Sequence, residues 1–376
     1  MVEAVLDFGE TSHGLGVWTD KFEQALAKFL GVKYAAMVNS GSSANLVAVS
    51  AFAKSGGGNI APGSEVITPA VTFPTAINPI LQNGFIPVVI DVQLGSYHVT
   101  LDSIKAAISP KTRMLFIPHL LNASSDMEEI REYAETKGLV LIEDTCDALG
   151  CRFNGKFAGT FGHCGTFSFY SNHHITSGGE GGAIVTNDQE LLARCRSIRD
   201  WGRERPGRFR YPNMGFNLKP TEVQSACGLA QLEKLPHLMK IRKRNFQLLH
   251  ESFSKFVDFF LLPSSTSNAD SCWFTFPLTI SPKAPFSRDE LILWYDRHNI
   301  EARTFWAGNI LTQPAYSGAN YRVAEPLVNS TLITERSFFI GLHPGLSEDQ
   351  LRYVIRTTES FLRLANEPRR VSLSAN

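Results

Sequence analysis

The period of the apolar positions changes repeatedly along the chain. Phe22, Leu26, Phe29 and Leu30 keep helical spacing up to Gly31, and Asp20 with Glu23 at the start of the run resembles a capping box. The apolar run 34–38 reads as a strand that enters the turn Asn39-Ser40-Gly41-Ser42-Ser43, and a helix follows over about 44–54. Strand-like runs recur at 65–69, 87–92, 113–119, 139–144, 165–170 and 183–186, with helical patterns such as 126–137 between several of them. This alternation predicts an α/β fold with a mostly parallel central sheet and helices on both faces. Ligands in such sheets sit at the carboxyl ends of the strands. A helical stretch then spans 221 to about 256, with Pro236 expected to break or kink it. After it, 273–280 reads as a strand, 288–297 as a helix and 348–362 as a final helix. The change of pattern predicts a large domain over 1–245 and a smaller C-terminal α+β domain over 246–376, with a basic tail after Glu367 that should fray.

Composition narrows the function classes. Lys+Arg and Asp+Glu are equal at 36 each, which argues against a dominant nucleic-acid or membrane-surface role. No apolar run approaches the roughly 20 residues of a membrane span, and the N-terminus has no signal-peptide pattern. The six cysteines are scattered, with no CxxC pair, and read as thiols in a reducing compartment. The expectation is a soluble cytoplasmic protein.

Polar and special residues concentrate in four segments. The turn Asn39-Ser40-Gly41-Ser42-Ser43-Ala44 opens a helix, so it fits either a capped helix start or a backbone cradle for phosphate. Residues 139–142 are apolar and run into Glu143, Asp144 and Asp147. A carboxylate at such a strand end can pair with a protonated pyridine nitrogen, or be a solvated loop acid or helix cap. The third segment, from Gly165 to Thr176, carries Ser168 and the adjacent pair His173-His174, and the Gly-rich run 177–182 follows. Histidine can move protons at neutral pH, and a loop histidine can equally be bland. No metal site is expected, since neighbouring strand residues point to opposite faces and no HxxxH or acidic partner lies nearby. The fourth, Met214-Gly215-Phe216-Asn217-Leu218-Lys219-Pro220-Thr221, reads alone as a loop capping a helix at Thr221.

Taken in order, these segments resemble the DegT-type sugar aminotransferases and dehydratases, pyridoxal-phosphate enzymes of the aspartate-aminotransferase fold (fold type I), from about Gly9 to Leu362. Aminotransferases of that family place a Schiff-base lysine five residues after the serine of the third segment; here that position is His173. The run Ser168-Phe169-Tyr170-Ser171-Asn172-His173-His174 is similar to the 4-keto-6-deoxy-sugar-nucleotide 3-dehydratases, which carry His-His there and no lysine. The resemblance implies pyridoxal 5'-phosphate or its pyridoxamine form as cofactor, without a covalent link to His173. It assigns Gly41, Ser42, Ser43 and Ser168 to the cofactor phosphate, Asp144 to the ring nitrogen, Asp147 to the vicinity of the ring hydroxyl and Phe73 to stacking on the ring. Asn217 is matched to a residue that reaches the phosphate of a neighbouring subunit, implying a homodimer with shared active sites. Arg303, Gly308 and Asn309, with Gln313-Pro314, resemble the segment bordering the sugar-nucleotide pocket.

The resemblance implies removal of the C3 hydroxyl of a nucleotide-linked 4-keto-6-deoxy sugar, with His173 moving the protons and glutamate restoring the cofactor's amine. His174 reads as a structural or phosphate-side neighbour. One branch of these dehydratases carries an iron–sulfur cluster on cysteines after Asp-Trp-Gly-Arg; here Asp200-Trp201-Gly202-Arg203 reaches Gly215 without a cysteine, so no cluster is expected. The Gly-rich run is one residue longer than usual, and Asn122-Ala123-Ser124-Ser125 stands where a Gly-Asn-Pro-type turn is common. Those departures bear on the substrate. The alternatives are an aminotransferase-like enzyme or other lyase that has lost its lysine, and a non-catalytic sugar-nucleotide or cofactor-binding homologue.

Overall fold

The computed structural model describes residues 15–122, 126–204, 208–266 and 268–366. The turn residues 123–125, the segment 205–207 after Arg203, Gly9 and the basic tail therefore lie outside the described residues. In chain order the first half contains α1 (Val17–Leu30), β1 (Tyr34–Val38), α2 (Gly41–Ser50), β2 (Glu65–Pro69), α3 (Pro74–Gln82), β3 (Ile86–Ile90), α4 (Leu101–Ala107), β4 (Thr112–Pro118), α5 (Met127–Thr136) and β5 (Val140–Asp144). Next come β6 (Arg152–Phe153), β7 (Lys156–Phe157), β8 (Cys164–Ser168), β9 (Gly182–Thr186), α6 (Gln189–Arg199) and α7 (Glu222–Phe253). The last part holds β10 (Phe260–Leu261), β11 (Ala269–Asp270), β12 (Phe276–Ile280), α8 (Arg288–Arg297), β13 (Ala302–Thr304), β14 (Arg322–Val323), α9 (Val328–Arg336), β15 (Ser337–Ile340) and α10 (Glu348–Asn366).

The main sheet has the order β1-β9-β8-β5-β4-β2-β3-β14. From β8 to β14 every pairing is parallel, and β9 runs antiparallel to both of its neighbours. The α/β architecture with a mostly parallel sheet is thus present. Successive side chains on a strand face opposite ways, and the core divides accordingly. Ile67, Leu115 and Leu141 join a cluster with α4, α5, the end of α7 and the second sheet. Val66, Met114, Phe116 and Ile142 join another with α2, α3 and α6. The second sheet, β10-β12-β15-β13, is antiparallel and drawn from the C-terminal part of the chain. The short strand β14 returns from that part to extend the main sheet.

Four elements depart from the patterning. The first helix starts at Val17 with Gly16 at its cap and no side-chain cap bond, so Asp20 and Glu23 form no capping box. Glu23 instead lies buried against Arg196 and Arg199. The second helix opens inside the Gly/Ser turn, because the Ser40 hydroxyl accepts from the Ser43 amide and caps it there. Pro236 does not break α7, which runs unbroken for 32 residues. Its ring lies on the exposed side, so the helical bond it removes faces water. Thr221 caps this helix in a reciprocal capping box with Gln224. Residues 273–275 stay outside β12, and Trp273 instead stacks on Phe246 at 5.1 Å.

Candidate active site

A cleft of about 970 Å³ opens at the carboxyl ends of β4, β5 and β8. Pro118, His119 and Leu120 come from the first of these strand ends, Asp144, Cys146 and Asp147 from the second, and Ser168, Tyr170 and His173 from the third. The start of α2 adds Ser40, Gly41 and Ser42, and the loop after β2 adds Phe73. The facing wall comes from β13, β15 and the loops leaving them: Arg303, Trp306, Phe339 and His343.

Each side chain is held by local structure. The amides of Gly41 and Ser42 precede the first intrahelical bond, from the Ala44 amide to the Ser40 carbonyl, and mark the positive end of α2. A Cβ at Gly41 would lie 2.5 Å from Cβ of Ser168, so only glycine lets the turn and the β8 end close into one cradle. Asp144 ends β5; one oxygen accepts from Asn45 Nδ2 at 2.7 Å and the other from the Cys146 amide at 3.1 Å. Asn45 is itself oriented by the Thr166 hydroxyl. Phe73 leaves 51% of its surface exposed, a flat apolar face presented to the cleft.

His173 sits in a turn, its amide bonded to the Tyr170 carbonyl at 3.0 Å. Its ring packs edge-on against Tyr170 and Phe274, with centroids 5.8 and 5.2 Å away. Nδ1 is buried without a partner at hydrogen-bond distance, and Nε2 stands 3.9 Å from Oδ1 of Asp147. Burial pushes the imidazole down to about 4, against the nearby backbone of Ser168 and Cys146, which favours its charged form. Burial, and then the Asp144 carboxylate, push Asp147 up to about 8. At neutral pH the facing pair is therefore a neutral imidazole and a protonated carboxyl.

This pair carries a testable pH dependence. Folded Asp147 keeps a proton that the unfolded chain releases near the ordinary carboxylate value of about 4. Its contribution to stability therefore falls as pH rises, until about 8. His173 acts oppositely between about 4 and its ordinary value, where the unfolded chain is the more protonated. Between pH about 6.5 and 8 only Asp147 of the pair changes. Over that window the cofactor-free protein should lose about 1–2 kcal/mol more than the Asp147→Asn variant. Urea unfolding of both proteins measures this, and identical pH slopes would contradict the reading.

Five residues singled out in the sequence stand off the cleft wall. Ser43 is turned inward: its amide bonds Ser40 and its hydroxyl bonds Asn39 at 2.6 Å. Gly308 and Asn309 tie the β13 segment to the loop bearing Phe73, through the Val71–Asn309 bridge and the Ile310 amide on the Ala70 carbonyl. Gly308 has φ +58°, and a Cβ there would meet the Thr334 hydroxyl at 2.5 Å. Asn217 is exposed and pairs through its backbone with Asp200. His174 is buried, bonds the Cys272 carbonyl at 3.0 Å and is pushed down to about 3 by burial. Patterning missed His119, Arg242, Phe274 and His343 on the wall, whereas Trp306 falls within the segment 303–309 that the resemblance assigns to it. His119, bonded to buried Glu143 at 2.9 Å, ends a legible strand and was within reach of the strand-end rule.

Fold and cleft together define an α/β enzyme that receives an anionic, aromatic cofactor at the carboxyl ends of a parallel sheet. Residues 1–359 match the DegT/DnrJ/EryC1/StrS aminotransferase family, and the chain belongs to it. It is 40% identical to the lipopolysaccharide biosynthesis protein RfbH of Salmonella typhimurium over 97% of this chain and 89% of that one. It is also 40% identical to dTDP-4-dehydro-2,6-dideoxy-D-glucose 3-dehydratase of Saccharopolyspora spinosa, over 96% of this chain and 83% of that one. Among solved structures it is similar to a GDP-4-keto-6-deoxymannose-3-dehydratase with a trapped PLP-glutamate geminal diamine, with TM-score 0.86 and 28% identity over 95% of this chain and 96% of that one. The fold is that of the pyridoxal-phosphate aminotransferases, and the cofactor is pyridoxal 5'-phosphate or its pyridoxamine form. The residues present fit it: a glycine-dependent cradle at a helix start, a carboxylate fixed by two donors, an exposed aromatic face and an unpartnered buried imidazole nitrogen. Among the described residues no helix is long and apolar enough to cross a membrane.

Proposed function

We propose that this protein is a 3-dehydratase of a nucleotide-linked 4-keto-6-deoxy sugar, working without an iron–sulfur cluster and using glutamate as amino donor. One observation carries the reading: His173 stands where a covalent lysine would be needed, and no lysine is among the described residues lining the cleft. The 3-dehydratase names of two similar proteins support it. The chain has no cysteine between Cys195 and Cys227, which supports a cluster-free cycle.

Gly41, Ser42 and Ser168, which line the cleft, would hold the phosphate, Asp144 would pair with the ring nitrogen, Asp147 would serve the ring hydroxyl and Phe73 would stack on the ring. When bound, the cofactor supplies an amine for the C4 ketone and an electron-poor ring. His173, neutral at the working pH, takes one proton at the imidazole and returns it to the departing C3 oxygen. Asp147 stands across from it at 3.9 Å with its carboxyl protonated. Phe274 and Tyr170 flank the imidazole and fix its plane. Arg303, exposed on β13 and paired with Glu301, meets the sugar nucleotide. We infer a homodimer in which Asn217 reaches the neighbouring site, since Trp201, Phe209, Tyr211, Met214 and Phe216 leave an apolar face exposed around it. A cytoplasmic setting suits the six free thiols.

The test supplies the holoenzyme with glutamate and a panel of nucleotide-linked 4-keto-6-deoxy sugars. Loss of water from the sugar with release of 2-oxoglutarate is the expected result. Stable transfer of nitrogen to the sugar would establish an aminotransferase instead.

A further inference from the structure

Deep in the cleft wall stands a cation that the chemistry above does not use. Arg242 projects from α7 and is only 3% exposed, yet it lines the cleft. Nη1 donates to the Phe274 carbonyl at 2.8 Å, and Nε is buried without a partner. Among the described residues no carboxylate pairs with it; Asp270, close to its neighbour Lys243, is taken by that lysine. The acidic groups near enough to act on it are the thiols of Cys151 and Cys272, and burial pushes the Cys272 thiol up to about 11, so that it stays protonated. The imidazoles of His173, His174 and His343 feel its charge, and burial before that charge holds each of them down toward the neutral form. The wall therefore offers one buried positive charge with donors to spare and no counter-ion, an arrangement that is costly until an anion arrives.

We propose that Arg242 anchors the α-carboxylate of the amino donor, an inference that rests on the glutamate-dependent cycle above. Position separates this from the other anion that visits the cleft, the diphosphate of the sugar nucleotide. The Phe274 ring lies 5.8 Å from the Arg242 guanidinium and 5.2 Å from the His173 ring, so the cation and the proton carrier share one neighbour. An amino acid carries its carboxylate on the same carbon that bears the reacting nitrogen. A sugar nucleotide carries its diphosphate on C1, across the pyranose ring from the reacting C4. An anion site beside His173 thus fits the carboxylate, while Arg303, exposed on β13 elsewhere in the cleft lining, suits the diphosphate. The guanidinium fork can keep the Phe274 carbonyl on one arm and bind a carboxylate with the rest, which an ammonium cannot do.

The test is calorimetric, with glutarate as probe and with GDP and dTDP as the alternative anions, on the holoenzyme and its Arg242→Gln and Arg242→Lys variants. Glutarate has no amino group and cannot turn over, so the result does not depend on whether the sugar is dehydrated or aminated. Glutarate affinity should fall at least about 30-fold in Arg242→Gln, the factor for losing one partner of a buried charge pair, and by an intermediate amount in Arg242→Lys. Both nucleotides should bind all three proteins within about twofold. If Arg242→Gln fails to fold, Arg242→Lys alone decides, by weakening glutarate and sparing the nucleotides. The proposal is overturned if wild-type protein does not bind glutarate, if the variants bind it as wild type does, or if nucleotide affinity falls instead.

Discussion

Replacing His173 by asparagine should lower dehydration turnover by about 10²–10⁴-fold, the usual share of a positioned acid–base group. Asparagine keeps the polarity and roughly the size of the ring's near half but cannot exchange a proton in this pH range. The cofactor cradle is built by other segments, around Gly41, Asp144 and Ser168, so cofactor retention should change by no more than a few-fold. Single-turnover release of 2-oxoglutarate and of dehydrated sugar, set beside cofactor absorbance, separates the two quantities. A variant retaining more than about a tenth of the activity would move the proton transfer elsewhere, with Asp147 the first alternative because it faces His173 at 3.9 Å. Restoring a lysine with His173→Lys gives the converse check: it should retain cofactor covalently, with absorbance in the visible.

The second large effect concerns stability. Glu23 is 4% exposed and accepts from the Met37 amide at 2.8 Å, from Arg199 at 2.8 Å and from Arg196. Arg199 is equally buried, so Glu23→Ala leaves a guanidinium inside the protein without its counter-charge. That should cost about 3–5 kcal/mol, as for other buried pairs broken from one side. Asp20, exposed on the same helix and making no cap bond, should change stability by less than about 0.5 kcal/mol when replaced by alanine. Urea midpoints of the two variants give the comparison; a Glu23→Ala cost below about 1 kcal/mol would show that the pair contributes little.

These cases mark what patterning can read. The strands 34–38 and 65–69 were legible to the residue because turn chemistry bounds a short apolar run on both sides. The strand ends bearing Asp144 and Ser168 followed from the rule that parallel sheets bind at their carboxyl edge. Asp20 and Glu23 misled because the spacing of a capping box is also met by a helix that begins three residues earlier; only burial against Arg199 tells them apart. Pro236 misled because its cost depends on whether the lost bond faces solvent, which spacing does not encode. Arg242 and Phe274 were out of reach for another reason. They lie 32 positions apart and meet only where the long helix packs beside the chain entering β12. Gly308 and Asn309 belong to the right segment, but backbone pairing with Val71 keeps them off the wall.

The two arginines of the cleft come from unrelated parts of the fold. Arg242 is embedded in a continuous helix and bonded to buried backbone, whereas Arg303 stands exposed on a three-residue strand with Glu301 as its partner. A change at Glu301 or Arg303 therefore disturbs little besides that strand, while a change at Arg242 disturbs the helix and the backbone it holds. On the roles proposed for the two arginines, drift in the sugar recognised can proceed at Arg303 without resetting the nitrogen source, and one catalytic wall can serve descendants that differ in the nucleotide sugar they take.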